Sequence, residues 1–348
     1  MNKFFLILLI FVPIAAIAGY VHFAPLLIFI LSALAIIPLA KFIGESTEEL
    51  ATHTGPSLGG LLSATFGNAT ELLIAIFAIR AGLLEVVKAS ITGSIIGNIL
   101  LVLGMAMLFG GVKYKKQEFN KTAVLASASM MLLAVVALVM PAIFAQTARN
   151  VSGNVIEKLS VFVSVFLIII YFANLFFIFK THKHLYTEDV GEYEARWSVK
   201  KSVIILLVAT IFTAWMSEIL VGSIEPVVAS LGWTQLFIGV IFVAIIGNAA
   251  EHVSAITMAL KNRMDLALQI SVGSATQIAT FVAPVLVVIS LFFKNQLSLV
   301  FNTFELAAIF LSVLIANLIV EDGESNWLEG FQLVTAYAII AVAFFFHP

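Results

Sequence analysis

The chain reads as long apolar runs separated by short polar ones. Apolar segments fall at 4–20, 24–43, 58–80, 86–111, 122–141, 159–179, 202–222, 235–260, 266–292, 299–320 and 329–347. A helix needs about 20 apolar residues to cross the hydrocarbon of a bilayer, and these runs have that order of length. Inside lipid the backbone must satisfy its own hydrogen bonds, which leaves helices or a closed barrel. Barrel strands alternate in polarity over about 10 residues. The runs here are continuous, so about eleven transmembrane helices are predicted. The longest polar stretch, Lys180 to Lys201, divides the segments into six and five.

The polar residues inside these runs repeat. Gly67-Asn68-Ala69-Thr70-Glu71 matches Gly247-Asn248-Ala249-Ala250-Glu251 at an offset of 180 residues. Without a gap, Gly59 falls on Gly239, Ala64 on Ala244, Ala75 on Ala255, Ile76 on Ile256 and Gly93-Ser94 on Gly273-Ser274. The copies lie in the third and eighth segments, five crossings apart, so the two helices run in opposite directions. This is an inverted repeat, whose ligand site is expected near the midplane where the halves meet. The fold class is therefore all-α integral membrane: one extra N-terminal helix plus a 5+5 inverted-topology repeat. Residues 1–22 form the extra helix, 23–180 the first five-helix repeat, 181–199 a cytoplasmic acidic connector and 200–348 the second repeat.

Composition agrees with a membrane protein. Of 348 residues 61% are hydrophobic and only 11% charged, against about 25% charged in soluble domains. There is no Cys, which excludes disulfides and thiolate chemistry, and no basic helix for nucleic acid. Charge placement orients the chain. With the N-terminus in the cytoplasm, Lys3, Lys41, Lys113, Lys115, Lys116, Lys121, Lys180, Lys183, Arg196, Lys200, Lys201, Lys261 and Arg263 lie inside. Arg80, Lys88, Arg149, Lys158 and Lys294 lie outside. Thirteen against five is a positive-inside bias, and it puts the C-terminus outside. Lys3, the first apolar run and Ala16-Ile17-Ala18 also fit a cleavable signal, but the length of the run favours a retained helix.

Most acidic residues sit in loops or at helix ends. Glu71 lies some 13 residues into its segment and Glu251 about 16, so both are near mid-bilayer. An ionisable group there costs several kcal/mol, roughly, and is a functional candidate by default. A protonated carboxyl with only a packing role is the alternative, but two carboxyls at equivalent repeat positions argue against it. Gly67 and Gly247 weaken the helix and let carbonyls turn toward a ligand; Asn68 and Asn248 add amide oxygens. Ca2+ takes about six to eight such oxygens, and two carboxylates balance its charge. Two carboxylates in a poorly solvated site repel when both are ionised, so without Ca2+ they hold protons. Ca2+ and H+ then compete for one site. His252 is a candidate proton acceptor or a packing residue, about 100° round the helix from Glu251. Ser94, Asn98, Ser274 and Gln277 on the following helices are candidate ligands, or else interhelical hydrogen-bonding groups of the same types. Gly93-x-x-x-Gly97 reads as a close-packing motif.

Glu48, Glu49 and Glu218 sit at helix ends, lining an access path or serving as ordinary end charges. Glu321, Asp322 and Glu324, and Glu188, Asp189, Glu192 and Glu194 in the connector, read as solvated acidic loops. The residues alone reach a cation transporter with a paired-carboxylate site and do not separate H+ from Na+ as the counter-ion. A cation channel would not need inverted repeats, and an intramembrane hydrolase would need Asp pairs or helical His ligands that are not present.

The motifs resemble those of CAX-type Ca2+/H+ antiporters of the cation/calcium exchanger superfamily. They are Gly55-Pro56-x-x-Gly59-Gly60-Leu61-Leu62 leading into Ala64-Thr65-Phe66-Gly67-Asn68-Ala69-Thr70-Glu71; Gly247-Asn248-Ala249-Ala250-Glu251-His252; Gly273-Ser274-Ala275-Thr276-Gln277-Ile278; and Asp322-Gly323-x-Ser325-Asn326-Trp327-Leu328-Glu329-Gly330. The resemblance implies a sodium/calcium exchanger-like fold and Ca2+ carried by Glu71 and Glu251, with Asn98 and Gln277 close by. It implies H+ as counter-ion, no resident cofactor and a homo-oligomer, with a trimer the expected form. Without the long N-terminal extension of plant relatives, a prokaryotic plasma membrane is the expected location. A Na+/Ca2+ exchanger of the same superfamily is the nearest rival.

Overall fold

The computed structural model describes residues 3–148, 152–182 and 195–348, with residues 3, 55–58, 60, 61 and 64 described by backbone alone. The chain is helical almost throughout. Helix α1 is Phe4–Tyr20, α2 Pro25–Phe66, α3 Ala69–Ala81, α4 Leu84–Tyr114, α5 Lys121–Thr147 and α6 Gly153–Thr181. The second half follows as α7 Val199–Leu231, α8 Gln235–Gly247, α9 Ala249–Leu260, α10 Met264–Ser290, α11 Thr303–Ile319 and α12 Trp327–Phe346. Two short strands, β1 (Lys116–Glu118) and β2 (Glu324–Asn326), pair antiparallel with Gln117 opposite Ser325. Each of the eleven apolar segments has a helical counterpart.

The polar stretch after the second segment is not a loop. It is helical, so α2 has 42 residues. The helix nevertheless does not run straight. An ideal Cβ on Gly59 would lie 2.8 Å from the Cα of Ala51, whereas eight residues of straight helix rise about 12 Å. The chain therefore doubles back between Ala51 and Gly59, as the inverted topology requires. The turn itself is Thr52-His53-Thr54-Gly55-Pro56-Ser57-Leu58. The tenth segment begins later than hydropathy suggests, at Thr303, where Asn302 and Glu305 form a capping box. Much of the connector, including Lys183, Glu188, Asp189, Glu192 and Glu194, lies outside the described residues, as does Arg149.

Helices α4 and α10 are the most enclosed of the spans. Ile95, Ile96, Leu100, Leu103 and Met107 of α4 are fully buried. Helix α6 faces outward, with Phe162, Phe166, Phe172 and Phe176 exposed; in lipid these apolar faces are at home. Helices α2 and α7 pack along each other, and α1 lies against both. Inside, α4 crosses α8 at close range: an ideal Cβ on Gly93 would overlap the Val240 carbonyl, and one on Gly239 would overlap Ala89. Gly97, in contrast, has nothing within 4 Å of an ideal Cβ. The close packing expected of Gly93-x-x-x-Gly97 thus belongs to Gly93 alone.

Candidate functional site

The third and eighth segments are each broken in two. Helix α2 ends at Phe66 and α3 starts at Ala69; α8 ends at Gly247 and α9 starts at Ala249, turned by 60°. The breaks coincide at the 180-residue offset, and the residues at the joints share a conformation: Asn68 has φ −100° and ψ 24°, Asn248 φ −93° and ψ 12°. Glu71 and Glu251 thus lie not deep within single helices but in the first turn of half-helices, where the helix N-terminus favours negative charge. The neighbouring helices are distorted at matching places as well. Helix α4 widens to π-helix over Gly97–Val102, and α10 over Ile278–Val282. Such bulges gather at functional sites; the sequence carries no marker for them beyond Gly97 and its repeat partner Gln277.

The four elements meet through polar side chains. Asn98 Nδ2 donates to Asn248 Oδ1 (2.7 Å) and Ser274 Oγ (3.1 Å). Asn248 Nδ2 donates to Ser94 Oγ (2.8 Å) and the Ala244 carbonyl (2.9 Å). Ser274 Oγ donates to Asn68 Oδ1 (3.4 Å), and Asn68 Nδ2 to Gln277 Oε1 (2.7 Å). The Asn68–Ser274 and Asn248–Ser94 bonds exchange when the halves exchange. Asn68, Asn248, Ser94, Ser274, Asn98 and Gln277 are therefore one network across the interface between the repeats.

Glu71 and Glu251 bound this network. Glu71 is buried beside Gly247: an ideal Cβ there would lie 3.0 Å from Glu71 Cγ. Gly247, on which Glu71 packs, precedes Glu251 by four residues across the joint. Among the described residues, both oxygens of Glu71, Oε2 of Glu251 and Oδ1 of Asn98 are buried without a hydrogen-bond donor. Buried acceptors are normally satisfied. Orphaned oxygens gathered at one interface suit a hard cation. Among the described residues no group of three His, Cys, Asp or Glu side chains gathers into a metal site, so amide, hydroxyl, carbonyl and water oxygens must complete any coordination shell. His252 is half-buried, with no hydrogen bond to its imidazole among the described residues.

Among the described residues, Asn-x-x-Glu with the Asn at the N-cap occurs at four helix starts: Asn68/Glu71, Asn248/Glu251, Asn302/Glu305 and Asn326/Glu329. At Asn302 and Asn326 the pattern closes into a capping box, the Asn side chain accepting from the Glu backbone and the Glu side chain from the Asn backbone. At Asn68 and Asn248 there is no side-chain cap. The amides reach instead across to the other half, and the carboxylates make no capping bond to the Asn backbone.

The two halves are not equally packed. Gly93 is pressed against α8, but its repeat equivalent Gly273 has no described atom within 4 Å of an ideal Cβ. Glu71 is 6% exposed, while Glu251, on a helix that packs against α2, is only partly buried. The site is thus more open at Glu251 than at Glu71. Glu48 of α2 is exposed; Glu49 does not line an access path. Glu49 is buried, and its Oε2 accepts from the backbone N–H of Arg196 (2.8 Å) and Trp197 (3.0 Å). Glu218 lies at the other end, 3.6 Å from Arg80.

Residues 24–180 and 201–346 match the family described as sodium/calcium exchanger protein. The Ca2+/H+ antiporter of Aphanothece halophytica is 49% identical over 365 residues, covering 100% of this chain and 97% of the relative. Ca2+/H+ antiporter ChaA of Bacillus subtilis is 46% identical over 352 residues, covering 99% of each. Among solved structures, that of native YfkE superposes with a TM-score of 0.87 at 43% identity, covering 99% of this chain and 100% of the other. The match covers both halves, broken helices included, and the likeness runs the length of the chain: the chain belongs to the sodium/calcium exchanger protein family.

Proposed function

We propose that this chain is a secondary transporter that exchanges Ca2+ for H+, and that both ions use the Glu71–Glu251 pair. The observation that carries this reading is the pair of open Asn-x-x-Glu turns. The two carboxylates forgo the capping bonds that the same pattern makes elsewhere in the chain, and keep buried oxygens free. Ca2+ is the cargo: Glu71, Glu251 and Asn98 Oδ1 contact it, while Asn68, Asn248, Ser94, Ser274 and Gln277 hold the helices in register. The breaks at Gly67 and Gly247 bring backbone oxygen to the same place. When Ca2+ leaves, two adjacent carboxylates cannot both stay ionised in a dry site at low cost, so protons take its place. Binding of one ion excludes the other, which is the condition for antiport. His252, beside Glu251 on the open side, is the group through which protons reach it.

Alternating access follows from the unequal seams. The α4–α8 seam is closed at Gly93, and the corresponding α10 seam is open at Gly273; exchanging the two conditions moves the opening to the other face. The names of the relatives, full-length at 46% and 49% identity, support H+ over Na+ as counter-ion. The positive-inside count supports a plasma-membrane protein with a cytoplasmic N-terminus and an outside C-terminus. A homo-oligomer, a trimer in the first instance, is proposed with it. The test is Ca2+ uptake into vesicles holding the purified protein under imposed H+ or Na+ gradients. A pH gradient alone drives uptake on this reading; uptake that needs Na+ and ignores pH contradicts it.

A further inference from the structure

Helix α9 carries Glu251 in its first turn and has only 12 residues. Its last turn, at Ala259 and Leu260, lies eight residues beyond Glu251, about 12 Å of helical rise. The carbonyls there are capped by the end of α4 and the connection that follows it. Gln117 Nε2 donates to the Ala259 carbonyl (2.9 Å) and to Asn262 Oδ1 (2.9 Å). Lys113 Nζ (2.7 Å) and Tyr114 Oη (2.9 Å) both donate to the Leu260 carbonyl. A cation at a helix C-terminus is favourably placed.

Gln117 is itself immobilised. It is 2% exposed, it sits in the middle of β1, and β1 is paired with β2 at the start of α12. Gly110 makes room for its amide, since a Cβ there would overlap Oε1. At the 180-residue offset the other half has Leu297, also buried but with no hydrogen-bonding group in its side chain. The link made by Gln117 therefore belongs to the half-helix that bears Glu251 and has no counterpart at the equivalent position.

We propose that Gln117 is a positioning residue for Glu251. Helix α9 is short and detached from α8 by the break at Asn248, so its placement depends on its two ends. Asn248 fixes one end on α4; Gln117, beside Lys113 and Tyr114, fixes the other and is the one of the three that also holds Asn262. Together they keep Glu251 on the same body as Asn98 and at a set distance from Glu71. Loosening the far end lets Glu251 drift, which weakens Ca2+ binding more than it slows the loaded transporter.

This rests on the proposed Ca2+/H+ exchange, and the same vesicles test both. Gln117→Leu, which copies the other half, is expected to raise the KM for Ca2+ about tenfold, the effect of losing two buried hydrogen bonds of ordinary strength. The maximal rate stays within about twofold, because the loss falls on binding and not on the loaded state. Asn262→Gly gives a second variant that removes only the Oδ1 acceptor; Asn262 has φ 60°, which Gly adopts freely. It is expected to raise KM by about threefold, and the double variant by no more than Gln117→Leu alone, because both changes cut one link. Unchanged KM in both variants overturns the proposal, as does a parallel fall of rate and folded protein with KM constant. If the unaltered chain shows no pH-driven Ca2+ uptake, the exchange reading itself falls, and this one with it.

Discussion

Carboxylates of the same local sequence meet two different fates in this chain. Glu305 and Glu329 are consumed by their own helix starts, whereas Glu71 and Glu251 are not. Gly247 is needed for this, because it lets Glu71 approach the other half. Gly247→Ala puts a methyl group 3.0 Å from Glu71 Cγ. It is expected to weaken Ca2+ binding by about tenfold, about 1.4 kcal/mol, with little change in thermal unfolding; titration of purified protein with Ca2+ measures it. Asn248→Ala should be costlier to the fold. It strips partners from Ser94 and Asn98 in a buried network, a loss of about 1–3 kcal/mol visible as a lowered melting temperature. The two glutamates, the Gly-Asn pairs and the following Ser residues are legible in the sequence, because a gapless repeat of ionisable residues in apolar runs has few explanations. The wiring is not. Whether an Asn caps its own helix or bridges to another depends on what stands opposite, and spacing along one chain does not carry that.

Among the helices, hydropathy yields eleven segments and their order, but not where they break. Gly67-Asn68 and Gly247-Asn248 read as soft points in continuous helices; the fold turns them into joints. Nor does hydropathy separate the helical reversal after Ala51 from an ordinary loop, since the Thr, Gly, Pro and Ser residues there suit a loop as well. Gly93 and Gly273 are equivalent in sequence and differ in surroundings, which is a property of the state and not of the repeat. Gly93→Ala drives a methyl group into the Val240 carbonyl and is expected to destabilise by about 1–3 kcal/mol, the usual cost of overpacking. Gly273→Ala meets nothing in this state and should hold or slightly raise the melting temperature, because Ala is the better helix former, yet slow turnover if the α10 seam must close in the cycle. Thermal unfolding and transport rates of the two variants, measured side by side, check this. Hydrogen bonds to Glu324 and Glu118 hold the Lys116 ammonium above its usual value. A raised lysine stabilises below its unfolded value and loses that contribution only as pH climbs through the folded one, in the alkaline range.

Two sets of contacts divide the helices of the whole molecule. Helices α2 and α7 pack together, with Glu49 and His53 of α2 bonded to the backbone just before α7. The α4–α5, α9–α10 and α11–α12 connections are joined by β1, β2 and Gln117. The orientation of this assembly rests on charge asymmetry. Because the chain has no Cys, single cysteines can be placed at Lys261 and Lys294 without background. An impermeant thiol reagent applied to intact cells should label the Lys294→Cys variant and spare Lys261→Cys; the reverse pattern would invert the proposed topology.

Everything proposed for transport turns on Ca2+ and H+ sharing Glu71 and Glu251. Calorimetric titration of the purified protein with Ca2+, repeated across pH in buffers of different ionisation enthalpy, counts the protons that binding releases. A shared site predicts proton release on Ca2+ binding, affinity that falls as pH falls, and loss of both in Glu71→Gln and Glu251→Gln variants that remain folded. Ca2+ binding that releases no protons and ignores pH, or that survives intact in either variant, would contradict it.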